Sequence, residues 1–376
     1  MGVLRRFALV AAGAFVSTAG MAIAAPGAWA SYASEPLPMQ WTATGPVHAS
    51  AVAGDTLYVG GLFDGTDGTG GVAALDADSG ALKWEMPTNG DVRALAVTPD
   101  GNGLIAGGNF TTVNGATHRH LVELSTATGE INTAWKGRAG GIVRALLITG
   151  GDVYVGGTFA TLDGVSNRGI GAVSVSDGTI DQSFSHFVDK NVWGLGLSGS
   201  HLIAVGNFNL VDNQTRRSAA MFDLANGAAM TSWAPPRVCS NCYSDWSVST
   251  DATNAYIGTS GPGGYLGAVN LSTGHLAWWI HADGDIQAVS VGPDGLVYVG
   301  GHFGTYIGNA SRTILAAVNP ANATVDPNFA PRLYTTYPGV WDISTTSTRL
   351  YAGGNFTGVR RNGANDHVPY LAAFGM

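Results

Sequence analysis

Seven short apolar runs each carry one residue able to bind a ligand. His48, Arg93, Arg144, Trp193, Trp246, Gln287 and Trp341 stand near the start of the runs VHASAV, VRALAV, VRALLI, VWGLGL, WSVST, IQAVSV and VWDIST. Their neighbours are small or aliphatic, whereas this position is polar or aromatic every time. Three tryptophans with two arginines would form a mouth that stacks sugars or clamps an anionic group. The same side chains could instead pack between neighbouring elements, with arginine stems lying across indole faces.

Two irregular stretches point to function because they break the pattern around them. TGVRRNGANDHVPY brings Arg360, Arg361, Asp366 and His367 into one long loop, and PPRVCSNCYSD inserts the only two cysteines, Cys239 and Cys242. The two stretches could flank one site, or the insertion could be a stapled irregularity. A disulfide is the default reading of the cysteine pair in an exported chain. A thioredoxin-like redox pair would need a βαβ context, and a structural zinc would need four ligands. Neither requirement is met nearby. A third set, Arg119, Arg168, Arg217 and Arg312, recurs nine residues after a phenylalanine. That regularity suggests a structural task such as bonding the carbonyls of a loop in the adjacent repeat unit.

Signals for catalysis are sparse. The histidines form no metal-binding motif, and there is neither a nucleophile elbow nor a phosphate loop. Asp91, Asp189, Asp285 and Asp342 are the main acids expected on the ligand face. Carboxylates for glycoside hydrolysis converge in space and not in sequence, so such a pair stays open. FDGTDGTGG, residues 63–71, lacks the ligand spacing of a calcium loop and reads as a glycine-rich hairpin. No cofactor or metal is expected.

The elements that must position these residues are strands. Charged residues are 12% of the chain, about half the usual share, and glycine, at 55 of 376 residues, is about double its usual share. Such glycine content, with many Val, Thr, Tyr and Trp residues, gives short strands and tight turns. A Gly-x-Phe motif ends a β-rich run at Gly61, Gly108, Gly157, Gly206, Gly301 and Gly354, with a degenerate copy at Gly258-Thr259-Ser260. After it come a strand, a turn glycine (Gly80, Gly129, Gly178, Gly227, Gly274) and a closing aromatic (Trp84, Trp135, Phe184, Trp233, Trp279, Phe329). The sixth turn, AVNPANA, has no glycine.

With the axial run in front, each unit of about 50 residues holds four strands, the size of one propeller blade. The last unit stops after its third strand, and MQWTATG around Trp41 is expected to supply the fourth. The expected fold is therefore an all-β, seven-bladed β-propeller over residues 41–376, closed by an N-terminal strand. Residues 31–40 are expected to be a linker.

The units resemble the bacterial delta-sixty repeat propellers, through Gly-Gly-x-Phe followed by a loop and an arginine. ALDADSGALKW, residues 74–84, also resembles the tryptophan-docking repeat of pyrroloquinoline-quinone-type propellers. Both resemblances imply the fold and say little of function, because propellers host many activities.

The N-terminus, MGVLRRFALVAAGAFVSTAGMAIAAPGAWA, has Arg5 and Arg6, an apolar run and a small-x-small site before Ser31. It reads as a secretory signal cleaved near Ala30, over residues 1–30, with an uncleaved anchor as the alternative. Losing both arginines moves the formal charge from −8 to −10. An acidic exported domain is a poor partner for nucleic acid or anionic lipid. The expected function is a non-catalytic propeller that binds a polysaccharide or a cell-surface protein around its axis. A secreted lyase or glycosidase and a purely structural surface module are the alternatives.

Overall fold

The computed structural model describes residues 31–63, 70–334 and 339–376, and every regular element in it is a β-strand. The signal segment and most of the glycine-rich hairpin at 63–71 lie outside the described residues. Each repeat forms an antiparallel sheet. The first unit runs Val47–Ala53, Thr56–Gly61, Gly70–Asp76 and Leu82–Thr88 in that spatial order. The second unit replaces its fourth strand with a single bridge from Leu124 to Ile131. Second strands such as Thr56–Gly61 and Gly103–Gly108 are buried at every residue, while outer Leu82–Thr88 alternates with solvent. A sheet covered on both faces requires continuous apolar runs, and the sequence supplies them in the second and third strands.

The Gly-Gly pair sets how closely adjacent sheets approach. A Cβ on Gly107 would stand 2.4 Å from Val143 Cγ1 of the next unit, and one on Gly108 would stand 2.0 Å from the Asp91 carbonyl. The following phenylalanine fills the seam: Phe63, Phe110, Phe159, Phe208, Phe303 and Phe356 are all buried. The fifth unit departs from its expected alignment by one residue. Asp245 pairs with Thr259 and Ser247 with Gly258, as Val92 pairs with Gly108 and Ala94 with Gly107. Gly258 thus matches the first glycine of the pair, and Thr259 stands where the other units have the second.

All five expected turn glycines adopt positive φ. In the sixth unit Ala323 takes the same place, with φ of 59° and its N–H on the Asn319 carbonyl as Gly274 N–H is on Asn270. The closing aromatics dock on the next unit's turn: Trp84 Nε1 donates to the Thr126 carbonyl (2.9 Å) and Trp233 Nε1 to Asn270 (3.2 Å). In the fifth unit this residue is Trp278, which donates to Pro320 (2.9 Å). The expected Trp279 is 53% exposed. Strand alternation separates the two indoles to opposite faces.

First strands pack in a cycle. Each lies against those of the units before and after it, and Val47–Ala53 lies against Val340–Thr345. The strand beside the last unit is Pro36–Leu37, which pairs with Phe374 and Ala373, and not the segment around Trp41. Gln40 and Trp41 instead donate their N–H groups to the Ser79 and Gly80 carbonyls of the first unit's turn. Residues 31–40 are therefore no free linker. Tyr32 is fully buried with Tyr298, Phe329 and Phe374, and its hydroxyl donates to the Thr346 carbonyl.

Candidate functional site

One structural device repeats at the start of every unit. The pairing of first with second strand slips between Val47 and Ala49, Val92 and Ala94, Val143 and Ala145, and Val192 and Gly194. It slips again between Asp245 and Ser247, Ile286 and Ala288, and Val340 and Asp342. The skipped residues are His48, Arg93, Arg144, Trp193, Trp246, Gln287 and Trp341. A bulge leaves one residue outside the ladder and re-aims its side chain. Here those seven side chains line one cavity of about 190 Å³. A second cavity of about 180 Å³ is lined by the same seven and by residues that follow them, including Ser50 and Asp342.

The ring is electrostatically lopsided. Asp91, almost fully buried, accepts from His48 Nδ1 at 2.7 Å and faces Arg93 Nε at 2.8 Å. Arg144 places Cζ 4.0 Å from the centre of the Trp193 ring and donates from Nε to Thr158 Oγ1 at 3.3 Å. Burial, and then the Arg93 charge, hold its guanidinium down to about 10. Trp193 and Trp246 lie 4.5 Å apart between ring centres, Trp246 and Trp341 lie 6.0 Å apart, and His48 meets Trp341 edge-on at 5.6 Å. The indole N–H groups of these three tryptophans and Gln287 Oε1 are buried without a protein hydrogen-bond partner. An arginine thus lies across an indole face, and the same side chains line a cavity.

A second tier went unread in the sequence, although the x of Gly-x-Phe signals it by being polar in most units. Asn109 Oδ1 accepts from Asp91 N at 2.6 Å and Asn207 Oδ1 from Asn191 N at 3.1 Å. Thr158 holds Arg144, and His302 meets Trp341 edge-on at 5.4 Å. These side chains fix the strand starts from which the bulges project.

The expected acids part ways. Asp189 accepts from Asn209 N and Leu210 N, Asp285 from Gly261 N, and Asp91 is taken up by His48 and Arg93. Asp342 alone lines an axial cavity, with Ser50 Oγ donating to it. Burial pushes its carboxyl up to about 6.

The remaining candidates lie away from the axial cavities. Arg361 donates to the Pro36 and Leu37 carbonyls and pairs with Asp366 at 2.6 Å, pinning the N-terminal strand. Arg360 donates to Gly363, His367 is exposed, and none of these four residues lines the axial cavities. Arg312 bonds the Phe329 and Asp326 carbonyls, which belong to its own unit and not to a neighbouring one. In the fourth unit the neighbour Arg216 does so, on Met230, while Arg217 is exposed. The loop there is one residue shorter. Arg119 is exposed, and Arg168 stands 5.5 Å from the Phe187 ring centre. Cys239 and Cys242 form a disulfide, with Arg237 donating to the Cys242 carbonyl.

The fold has known counterparts. The WD40 β-propeller domain of Doa1 superposes with a TM-score of 0.61 at 11% identity, over 92% of this chain and 97% of that one. The computationally designed Ika8 protein gives 0.54 at 10% identity, over 91% and 100%. BamB from Moraxella catarrhalis gives 0.49 at 16% identity, over 89% and 83%. No curated protein matches the chain in sequence. The likeness to the Doa1 domain shows the fold, a β-propeller. A family model, PQQ_2, described as outer membrane protein assembly factor BamB, matches residues 22–278, more than half of the chain. The protein belongs to that BamB-type propeller family.

Proposed function

We propose that this protein is a seven-bladed propeller that binds a partner protein outside the cytoplasm through the face carrying the axial ring, without chemistry of its own. Seven repeat sheets and the cyclic packing of their first strands support the blade count. The pairing of Pro36–Leu37 with the last strand supports closure. The leader-like residues 1–30 and the disulfide support an extracytoplasmic site. The Gly-Gly-x-Phe repeats keep the delta-sixty resemblance within this reading.

The observation that carries it is the size and wall of the ring. Sites for drug-sized ligands run to roughly 300–1,000 Å³. A cavity of about 190 Å³ has room for one side chain or one sugar ring. The indoles face one another and Arg144, so no broad stacking floor is offered. Asp342 is the single carboxylate lining either cavity, whereas glycosidase chemistry needs two. A polysaccharide reading has one observation in its favour, away from the axis. Exposed Trp279 begins an aromatic series with Tyr265, His281 and Tyr306 at centre distances of 5.3, 4.7 and 5.8 Å.

The test is comparative capture from envelope extracts of the native host. Wild type, an axial variant (Trp341→Ala) and a rim control (Leu82→Ser) serve as baits. A protein retained by wild type and control but lost by the axial variant supports the proposal. Equal retention by all three baits, or retention of glycan alone, sinks it.

A further inference from the structure

One guanidinium of the axial ring has no carboxylate paired with it among the described residues. Two guanidiniums, Arg93 and Arg144, face the ring, and Asp91 is already shared between Arg93 and His48. Among the described residues no carboxylate lies within ion-pair distance of Arg144, whose one hydrogen bond goes to neutral Thr158. Asp342 lies in the second cavity and is engaged with Ser50. A partly desolvated guanidinium without a counter-ion is costly. The indole N–H donors of Trp193, Trp246 and Trp341 add three buried hydrogen-bond donors to the same wall. All three residues line the cavity, and their buried N–H donors are committed to no protein acceptor.

We infer that the axial cavity receives one carboxylate, the side chain of an aspartate or glutamate on a partner protein's loop, clamped by Arg144 and an indole N–H donor of the ring. This rests on the axial reading above and names the chemistry of its ligand. The unpaired guanidinium of Arg144 matches one carboxylate. The chain as a whole carries a formal charge of −8, so a polyanionic glycan or nucleic acid would meet long-range repulsion that a single acidic side chain largely escapes. The volume also fits one side chain. Arginine is suited to the task because its planar fork grips a carboxylate through two parallel bonds.

The test titrates ¹⁵N-labelled protein with N-acetyl-glutamate α-methylamide, the neutral glutamine counterpart, and galacturonate, following the indole N–H signals of Trp193, Trp246 and Trp341. The glutamate compound is expected to give saturable shifts and to bind at least about tenfold tighter than the glutamine compound. Arg144→Gln abolishes that preference and Arg144→Lys restores part of it, which separates lost charge from lost fold. Equal binding of the neutral compound, or no saturable shift with the glutamate compound, overturns the inference. Shifts with galacturonate alone overturn the protein source. Should the captured partner be lost in Trp341→Ala yet kept in Arg144→Gln, the axial reading stands and the carboxylate falls.

Discussion

Arg144 lies over Trp193, with 4.0 Å between guanidinium carbon and ring centre, and both are bulge residues of consecutive first strands. That contact would not exist in a regular ladder, where alternate side chains turn away from the axis. The bulge therefore converts a repeat of packing elements into a ring of side chains that meet one another.

That ring also carries packing between neighbouring first strands. Trp193→Ala removes the surface under Arg144 and the contact with Trp246. It is expected to cost about 3 kcal/mol in urea denaturation. A loss below about 1 kcal/mol would show that the indole merely rests on the ring.

Asp342 makes the axis sensitive to pH. Burial raises its carboxyl from 3.8 to about 6, so the folded state holds its proton more tightly than the unfolded chain. Its contribution to stability is fully present below the ordinary value and is lost as pH climbs through about 6. Relative to wild type, Asp342→Asn should therefore gain on the order of 2 kcal/mol between pH 4 and pH 7. A difference that stays flat across those pH values refutes the assignment.

How much of this could be read in the sequence depends on what the repeat exposes. Gly107 and Phe110 carry their reason on their face, since only glycine fits against Val143 and the aromatic fills the seam. The seven axial positions were visible because a polar or aromatic residue recurs among small ones. The bulges that aim them were not, because a register slip depends on the partner strand and leaves no mark on its own residue. Short-range errors have the same origin. Trp278 and Trp279 are chemically alike, as are Arg216 and Arg217, and strand parity alone decides which of each pair faces inward. Pro36–Leu37 was passed over because two residues carry no periodicity.

Docked tryptophans should differ in a way the sequence does not announce. Trp84, Trp233 and Trp278 donate to a turn carbonyl, whereas Trp135 Nε1 is buried without a protein partner. Trp84→Phe and Trp278→Phe are each expected to lose about 1 kcal/mol beyond the packing change, while Trp135→Phe loses less. Equal losses at all three positions would mean that ring burial alone matters.

The sixth turn offers a gain of stability. Ala323 sits at φ of 59°, where five other units have glycine at 69° to 75°. An L-residue in this region costs roughly 1–2 kcal/mol, and glycine returns part of that through its freedom in the unfolded chain. Ala323→Gly is therefore expected to raise stability by about 0.5–1 kcal/mol. The mirror change is harsher. Gly129→Ala would adopt the same strained φ and would drive its Cβ to 2.7 Å from the Trp84 ring, unseating an indole that bonds the neighbouring Thr126 carbonyl. Opposite signs for the two substitutions, measured by urea denaturation under one set of conditions, are the expected result. If Ala323→Gly destabilises, the sixth turn holds its alanine for contacts that outweigh backbone strain.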